Sequence, residues 1–198
     1  MITAIVLAAG SSRRMGKDNK LLLPMQSQTV IETVVDHLLD LSDIEILVVL
    51  GYEADQVQSV LGSRRVKMVV NKDHLKGMTT SIQCGIRAAA ADSLGYLICL
   101  ADLPLISSTT YQSIIQAFLK KVAKQTNCIL IPTHQSKKGH PIVFARHFKE
   151  AILNNTFMDG CKNIIQANQQ HLHFFQSDDP SIILDMDTPS DYQKIRRS

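Results

Sequence analysis

Residues 3–16 read Thr-Ala-Ile-Val-Leu-Ala-Ala-Gly-Ser-Ser-Arg-Arg-Met-Gly: six apolar residues after a threonine, then glycine, two serines and two arginines. An apolar run of that length, without a polar face, suits a strand covered on both sides. Similar runs recur at 44–50 (IEILVVL), 66–70 (VKMVV), 95–101 (GYLICLA) and 128–132 (CILIP). Between them, 29–39, 54–61, 79–91 and 109–124 space their apolar residues by three and four, the signature of a helix with one buried face. In the last of these, Ile114, Ile115, Phe118, Leu119 and Val122 are expected to form the stripe. Strands alternating with helices predict parallel strands joined by right-handed crossovers, hence a three-layer α/β architecture with a mostly parallel central sheet. Beyond residue 133 the alternation weakens. PIVF at 141–144 and HLHFF at 171–175 read as strands, within a less regular excursion over 133–180 that flanks the site. The stretch 182–195, IILDMDTPSDYQKI, reads as a strand and then a helix capped by Thr188 with Pro189 in its first turn.

Composition narrows the class. The 198 residues are 45% hydrophobic and 20% charged, with 9 Gly and 6 Pro, which excludes disordered, fibrous and linker-like chains. A chain this long buries about 70% of the surface it would expose unfolded, so it needs neither disulfide nor zinc staple. One domain over 1–198 is expected. With 21 basic and 18 acidic residues the net charge is only +3, in no long block, so neither nucleic acid nor a membrane surface is expected as a partner. Cys84, Cys99, Cys128 and Cys161 form no C-x-x-C pair and read as reduced structural residues of a cytoplasmic protein. The apolar start, Ile2–Ala9, lacks the basic flank of a signal peptide, and no run reaches the ~20 residues of a membrane span.

Five segments carry chemistry. In the loop after the first strand, Leu7-Ala8-Ala9-Gly10 followed by Arg14 and Lys20 brings close backbone N–H groups and two cations to the carboxyl end of a strand, where α/β proteins bind ligands. It matches neither G-x-G-x-x-G nor G-x-x-x-x-G-K-[ST], and a solvated basic turn reads equally well from composition alone. Asp102, in ADLP directly after GYLICL, reaches the same edge; hard oxygen ligands there suit Mg²⁺, and a turn aspartate before proline is the plainer alternative. Asp185 and Asp187 sit two apart in an extended segment, so both face one way, and Asp187 completes a metal pair with Asp102, assists the following helix, or does both. Asn71 to Ser81, with Gly77 and Met78, opens a helix at a hydroxyl-rich end that suits a base and ribose, or is ordinary capping. Gly139-His140-Pro141 is a turn preceded by two lysines, and a lone His there is more often structural. His171 and His173 share one strand face and make a poor zinc site without a third ligand.

Taken in order, these segments resemble the molybdenum cofactor cytidylyltransferases, within the nucleotidyltransferases related to molybdenum cofactor guanylyltransferase. LAAGSSRRMG with Lys20 and LLLP at 21–24 is similar to the family's L-A-A-G-x-S-x-R-M-G-x-x-K-L-L-L-P signature. NKDHLKGMTTS, ADLPLI, KKGHPIVF and DMDTPSDY resemble its N-x₅-G-M-x-x-S, D-Q-P-L-I, G-H-P and D-x-D-T-P-x-D blocks, from about residue 4 to 192. Leu103 replaces a common glutamine, Thr79-Thr80 stand where serines are usual, and one extra residue separates Met15-Gly16 from Lys20.

The resemblance implies a Rossmann-like nucleotidyltransferase fold and transfer of CMP from CTP to the terminal phosphate of a molybdopterin-type cofactor, with pyrophosphate released. It implies Arg14 and Lys20 on the β- and γ-phosphates and Asp102 and Asp187 on Mg²⁺ or Mn²⁺, so that Arg14, Lys20 and Asp102 carry catalysis. Leu7, Ala8, Ala9, Gly10, Asn71, Gly77, Met78 and Ser81 would line the nucleotide, and Gly139, His140 and Pro141 the acceptor. The partners implied are CTP, the molybdopterin-type cofactor, and a client molybdoenzyme or its chaperone. Related guanylyltransferases have L-A-G-G, and a methyl at Ala9 crowds a purine more than a pyrimidine. Asp102 is expected on an exposed strand end, so that Asp102→Asn would fold normally. The same fold using GTP or another phosphorylated acceptor, and a non-catalytic nucleotide- or cofactor-binding chaperone, remain open from sequence.

Overall fold

The structure, a computed structural model, describes residues 1–15 and 18–196, without the side chain of Arg13; Gly16 of the first motif lies outside the described residues. In chain order the elements are β1 (Ile2–Ala8), β2 (Pro24–Met25), β3 (Gln28–Thr29), α1 (Val30–Leu39), β4 (Ile44–Leu50), α2 (Ala54–Leu61), β5 (Lys67–Val70), α3 (Met78–Ala88) and β6 (Gly95–Leu100). There follow α4 (Ser108–Val122), β7 (Ile129–His134), β8 (Lys137–Lys138), β9 (Ile142–Ala145), α5 (Lys149–Leu153), α6 (Lys162–Ala167), β10 (Leu172–Gln176) and α7 (Pro189–Ile195). The main sheet runs β10-β7-β9-β6-β1-β4-β5, with β8 paired to β7, and β2 and β3 form a separate hairpin.

β1 lies parallel to β4 on one side and to β6 on the other, with Val6 opposite Val48 and Cys99. Ile5, Val6, Leu47, Val48 and Leu97 are fully buried, because helices cover both faces and leave no solvent side for polar residues to occupy. α1 packs with α2 and α4, while α3 packs with α5 and lies across β1, β4 and β5, so three layers result. Gly85 of α3 permits the close contact: a Cβ there would fall 2.4 Å from the Ile5 side chain. The sheet is mixed, because β9 runs antiparallel to both neighbours, β6 and β7. That strand, the expected PIVF run shifted by one, is where the strict parallel alternation ends.

Three local expectations are corrected. The stripe of α4 is Tyr111, Ile114, Ile115 and Phe118, the i, i+3, i+4, i+7 set; Leu119 lies partly in solvent, outside it. α3 stops at Ala88, short of residue 91, because the Glu45 carboxylate takes the Ala90 N–H at 2.8 Å and draws the chain off the helical path. Residues 182–184 form no strand. Asp179 accepts from the Ser181 N–H at 2.9 Å, and Pro180 opens a 3₁₀ turn over Pro180–Ile183 that buries Ile182. The helix after it does start at Pro189, with Thr188 and Asp191 forming a reciprocal cap.

Candidate active site

The carboxyl ends of β1 and β6 open onto a cavity of about 460 Å³. Its floor is the loop after β1. Ser12 adopts a left-handed conformation (φ 49°), and its hydroxyl accepts from the backbone N–H of Lys20 at 3.2 Å, which brings Lys20 back beside Ser12. Asn19 then accepts from the Leu21 N–H at 3.1 Å, starting a 3₁₀ turn anchored by buried Leu21 and aiming Lys20 inward. A Cβ added at Gly10 would meet nothing within 4 Å, so the backbone there faces open cavity.

Opposite stand the carboxylates. Asp102 lies two residues past the end of β6, and its carbonyl accepts from the Met186 N–H at 3.1 Å, which draws the 185–187 segment to the same rim. The Lys20 ammonium lies 2.5 Å from Asp102 Oδ2 and 3.0 Å from Asp187 Oδ1, and the Arg14 guanidinium lies 2.6 Å from Asp187 Oδ2. Lys20, Asp102 and Asp187 expose only 14%, 18% and 23% of their side chains, so solvent screens the cluster weakly; Arg14, at 69%, is the exposed member. Two cations and two carboxylates leave it formally neutral. Burial opposes the Lys20 charge, but the charge and hydrogen bond of Asp102, followed by those of Asp187, hold its pKa above the ordinary lysine value. Burial would likewise raise Asp187, yet Lys20 and then Arg14 bring it below the usual carboxylate range. Asp185 is pushed up by burial and by the charges of Asp187 and Asp102.

Asp102 is half-buried, and its Oδ1 is fully enclosed without a hydrogen-bond partner, so it does not occupy the exposed strand end expected from sequence. An enclosed oxygen with free lone pairs, beside a second carboxylate, is the donor set of a hard divalent ion, and the residues present fit one. Among the described residues no cluster of three or more His, Cys, Asp and Glu suited to a metal occurs, so further ligands would come from water or substrate.

The remaining wall comes from the start of α3. Leu7, Ala9, Gly77, Met78 and Ser81 line the cavity with the loop and the charged cluster. Ala8 is fully buried in the sheet and does not line the cavity. Asn71 lies behind the wall. Its amide donates to Thr80 Oγ1 at 2.9 Å and Ser81 Oγ at 3.0 Å, and its Oδ1 accepts from the Asp73 N–H, so it shapes the 71–81 turn and stays out of the cavity. Thr79 does not cap its own helix; its hydroxyl bonds the Phe157 carbonyl and accepts from the Gly160 N–H at 3.0 Å, tying residues 157–160 to the wall. Gly139, His140 and Pro141 do not line the cavity either. The Gly139 N–H donates to Pro132 and the His140 N–H to the Ile182 carbonyl at 2.9 Å, which braces the segment leading to Asp187. A Cβ at Gly139 would fall 2.6 Å from the Ile182 carbonyl oxygen. The His140 ring feels the Asp102 charge, but burial dominates and lowers its pKa, and its Nδ1 has no partner.

Sequence reasoning missed Ser11, Ser12, His74, Leu75 and Leu100 as lining residues, and Gly51 behind them. A Cβ at Gly51 would fall 2.7 Å from the Ala9 methyl and 2.8 Å from the His74 side chain, so the glycine lets these two walls meet. Its position directly after β4, like that of Gly10 shortly after β1, was the available signal. The four cysteines are unpaired, and burial pushes the Cys161 thiol up to about 12. Among the described residues no helix is long and apolar enough to cross a membrane.

A mostly parallel sheet between helices, with its polar residues gathered at one carboxyl rim, places the chain among the α/β nucleotidyltransferases. It belongs to the MobA-like NTP transferase domain family, whose model matches residues 4–173. That match covers Arg14, Lys20 and Asp102 and ends before Asp187. Among curated relatives, nicotine blue oxidoreductase of Paenarthrobacter nicotinovorans is 27% identical over 94% of this chain and 92% of its own length. Molybdenum cofactor cytidylyltransferase of Escherichia coli K12 is 25% identical over 96% of this chain and 93% of its own. Among solved structures, Rv0371c of Mycobacterium tuberculosis H37Rv superposes with a TM-score of 0.86 at 25% identity, covering 100% of this chain and 99% of that one. A structure of Rv0371c in complex with manganese gives 0.79 at 24% identity, over 100% of this chain and 98% of that one.

Proposed function

We propose that this protein transfers CMP from CTP to the terminal phosphate of a molybdopterin-type cofactor and releases pyrophosphate. The observation that carries the proposal is the meeting of Arg14, Lys20, Asp102 and Asp187, remote in sequence, on one rim beside the open backbone of Gly10. The two full-length relatives bear different activities in their names, an oxidoreduction and a cytidylyl transfer. Paired cations and carboxylates at a strand rim favour the transfer, because a triphosphate needs both positive charge and a hard cation.

An acceptor phosphate oxygen attacks the α-phosphorus in line; the new P–O bond forms as the bond to the β-phosphate oxygen breaks, and pyrophosphate leaves. The attacking oxygen is already ionised at neutral pH, so no side chain need remove a proton. The protein's part is to position and to stabilise charge. Arg14 and Lys20 take the growing charge of the leaving pyrophosphate, and the Gly10–Ser12 backbone approaches the phosphates closely. Asp102 and Asp187 would hold Mg²⁺ or Mn²⁺, which supplies charge neutralisation across the phosphate oxygens. Gly77, Met78 and Ser81 flank the base and ribose. The Ala9 methyl, close to Gly51 and His74, would crowd a purine more than a pyrimidine. The product would pass to a client molybdoenzyme or its chaperone.

The test is pyrophosphate release from CTP, GTP, ATP and UTP with purified molybdopterin and Mg²⁺, run beside thermal shifts with each nucleotide. CTP should give the fastest release and the largest shift. Fastest release with GTP would move the base assignment, and CTP binding without pyrophosphate release would make the protein a binding chaperone.

A further inference from the structure

The two carboxylates assigned to the divalent ion are engaged by a cation of the chain itself. The Lys20 ammonium bonds Asp102 Oδ2 at 2.5 Å and Asp187 Oδ1 at 3.0 Å, while Arg14 holds the other oxygen of Asp187. One carboxylate oxygen of the pair, Asp102 Oδ1, is left without a partner, and it is enclosed. A divalent ion held by Asp102 and Asp187 would therefore compete with the ammonium for the same carboxylates, in surroundings where screening is weak. The four bonded groups are formally neutral and Asp185 beside them adds one negative charge, so an ion arriving alone still brings more positive charge than this half-buried site can match.

We propose that Lys20 is an exchangeable counter-ion, so that the divalent ion enters this site only together with a polyphosphate. The proposal rests on the metal and triphosphate roles given to the same residues above. A polyphosphate supplies both things the exchange lacks. Its oxygens complete the coordination of an ion held by few carboxylates, and its negative charge gives the ammonium a destination. The lysine stem is long and flexible, and the ammonium is a compact charge without fixed bonding directions, so it can leave two carboxylates for phosphate without backbone movement. The cavity of about 460 Å³ adjoining Lys20 has room for both. Ion and polyphosphate then bind with positive coupling, and each raises the affinity of the other by the same factor.

The probe is Mn²⁺, followed by the electron paramagnetic resonance of the free ion and by water proton relaxation, which separates protein-bound ion from ion chelated in solution. The wild-type protein should bind Mn²⁺ weakly alone and roughly tenfold or more tightly with inorganic tripolyphosphate. Lys20→Met should bind Mn²⁺ without any polyphosphate roughly tenfold more tightly than wild type, and Asp102→Asn in that background should abolish the gain. Lys20→Gln and the reciprocal measurement, tripolyphosphate affinity of wild type with and without Mn²⁺, give the same answer should Lys20→Met fold poorly. Equal Mn²⁺ affinity in wild type and the Lys20 variants, with no gain from tripolyphosphate, overturns the exchange and leaves the metal site standing. No binding in any protein, even with tripolyphosphate, overturns both.

Discussion

Asp102 presents its two oxygens to different surroundings, one to Lys20 and one to an enclosed space without a donor. Asparagine keeps the shape of the side chain and removes its charge. Asp102→Asn is therefore expected to lower metal-dependent pyrophosphate release by roughly 10²-fold or more, while the melting temperature moves by less than about 5 °C. Wild-type release with Mg²⁺ would remove Asp102 from the metal. Gly77 is constrained differently. Its φ is 110°, and a Cβ there would fall 2.5 Å from the Met158 carbonyl oxygen, which is backbone and cannot swing away. Gly77→Ala should cost about 1–3 kcal/mol of unfolding free energy in urea titration, and a cost near zero would mean that the 157–160 segment is not docked as described. Both residues stood out in the sequence, Asp102 by following a strand and Gly77 by opening a helix. Lys20 stood out too, as a phosphate cation, but its pairing with Asp102 did not, nor did that of Gly77 with Met158, because the partners are 82 and 81 residues apart in the chain and no local pattern encodes such pairings.

At the scale of elements, α1 and α2 are joined by one arginine. Arg64, just after α2, bonds Asp36 at 2.6 Å and Glu32 at 3.1 Å, both on α1, and Thr29 caps α1 reciprocally with Glu32. The Arg64 hydrogen bond holds Asp36 below the usual carboxylate range; for Glu32, burial works upward, and the Thr29 hydrogen bonds with the Arg64 charge outweigh it. A carboxylate with a depressed folded pKa stabilises the fold above its unfolded value near pH 4, and that stability is lost as pH falls through the folded value. Arg64→Met should thus cost about 1 kcal/mol at pH 7, a figure kept small because Asp36 is partly exposed, and the difference from wild type should shrink towards pH 3 in denaturation curves. A pH-independent difference would mean that packing of the arginine stem, not its charge, is what matters. Thr29→Ala removes the cap and should cost about 1 kcal/mol, lowering the melting temperature by roughly 2–4 °C. Elements of this kind were legible to within a residue or two where one periodicity ran unopposed, as in 54–61. They were not where a distant side chain intervened: Glu45 ends α3 early, and Asp179 with Pro180 turns the apolar residues 182–184 away from a strand.

For the molecule as a whole, the order of strands decides which backbone is protected. β1 has a parallel neighbour on each side, whereas β5 and β10 close the two edges of the sheet. Amide exchange should therefore be slowest in β1 and fastest, among the main-sheet strands, in β5 and β10; rapid exchange across Ile5–Leu7 would contradict the layering. The parallel portion was readable because buried parallel strands are continuously apolar. The reversed direction of β9 was not, since an apolar run of four has no arrow written in it. That reversed strand also governs what can be cut away. β9 fills the gap between β6 and β7, pairing with both. A polypeptide truncated ahead of Ile142 would leave Gly95–Ile98 with a bare row of amides and carbonyls beside the carboxylate rim. Such a fragment should self-associate through that raw seam rather than persist as a smaller working enzyme.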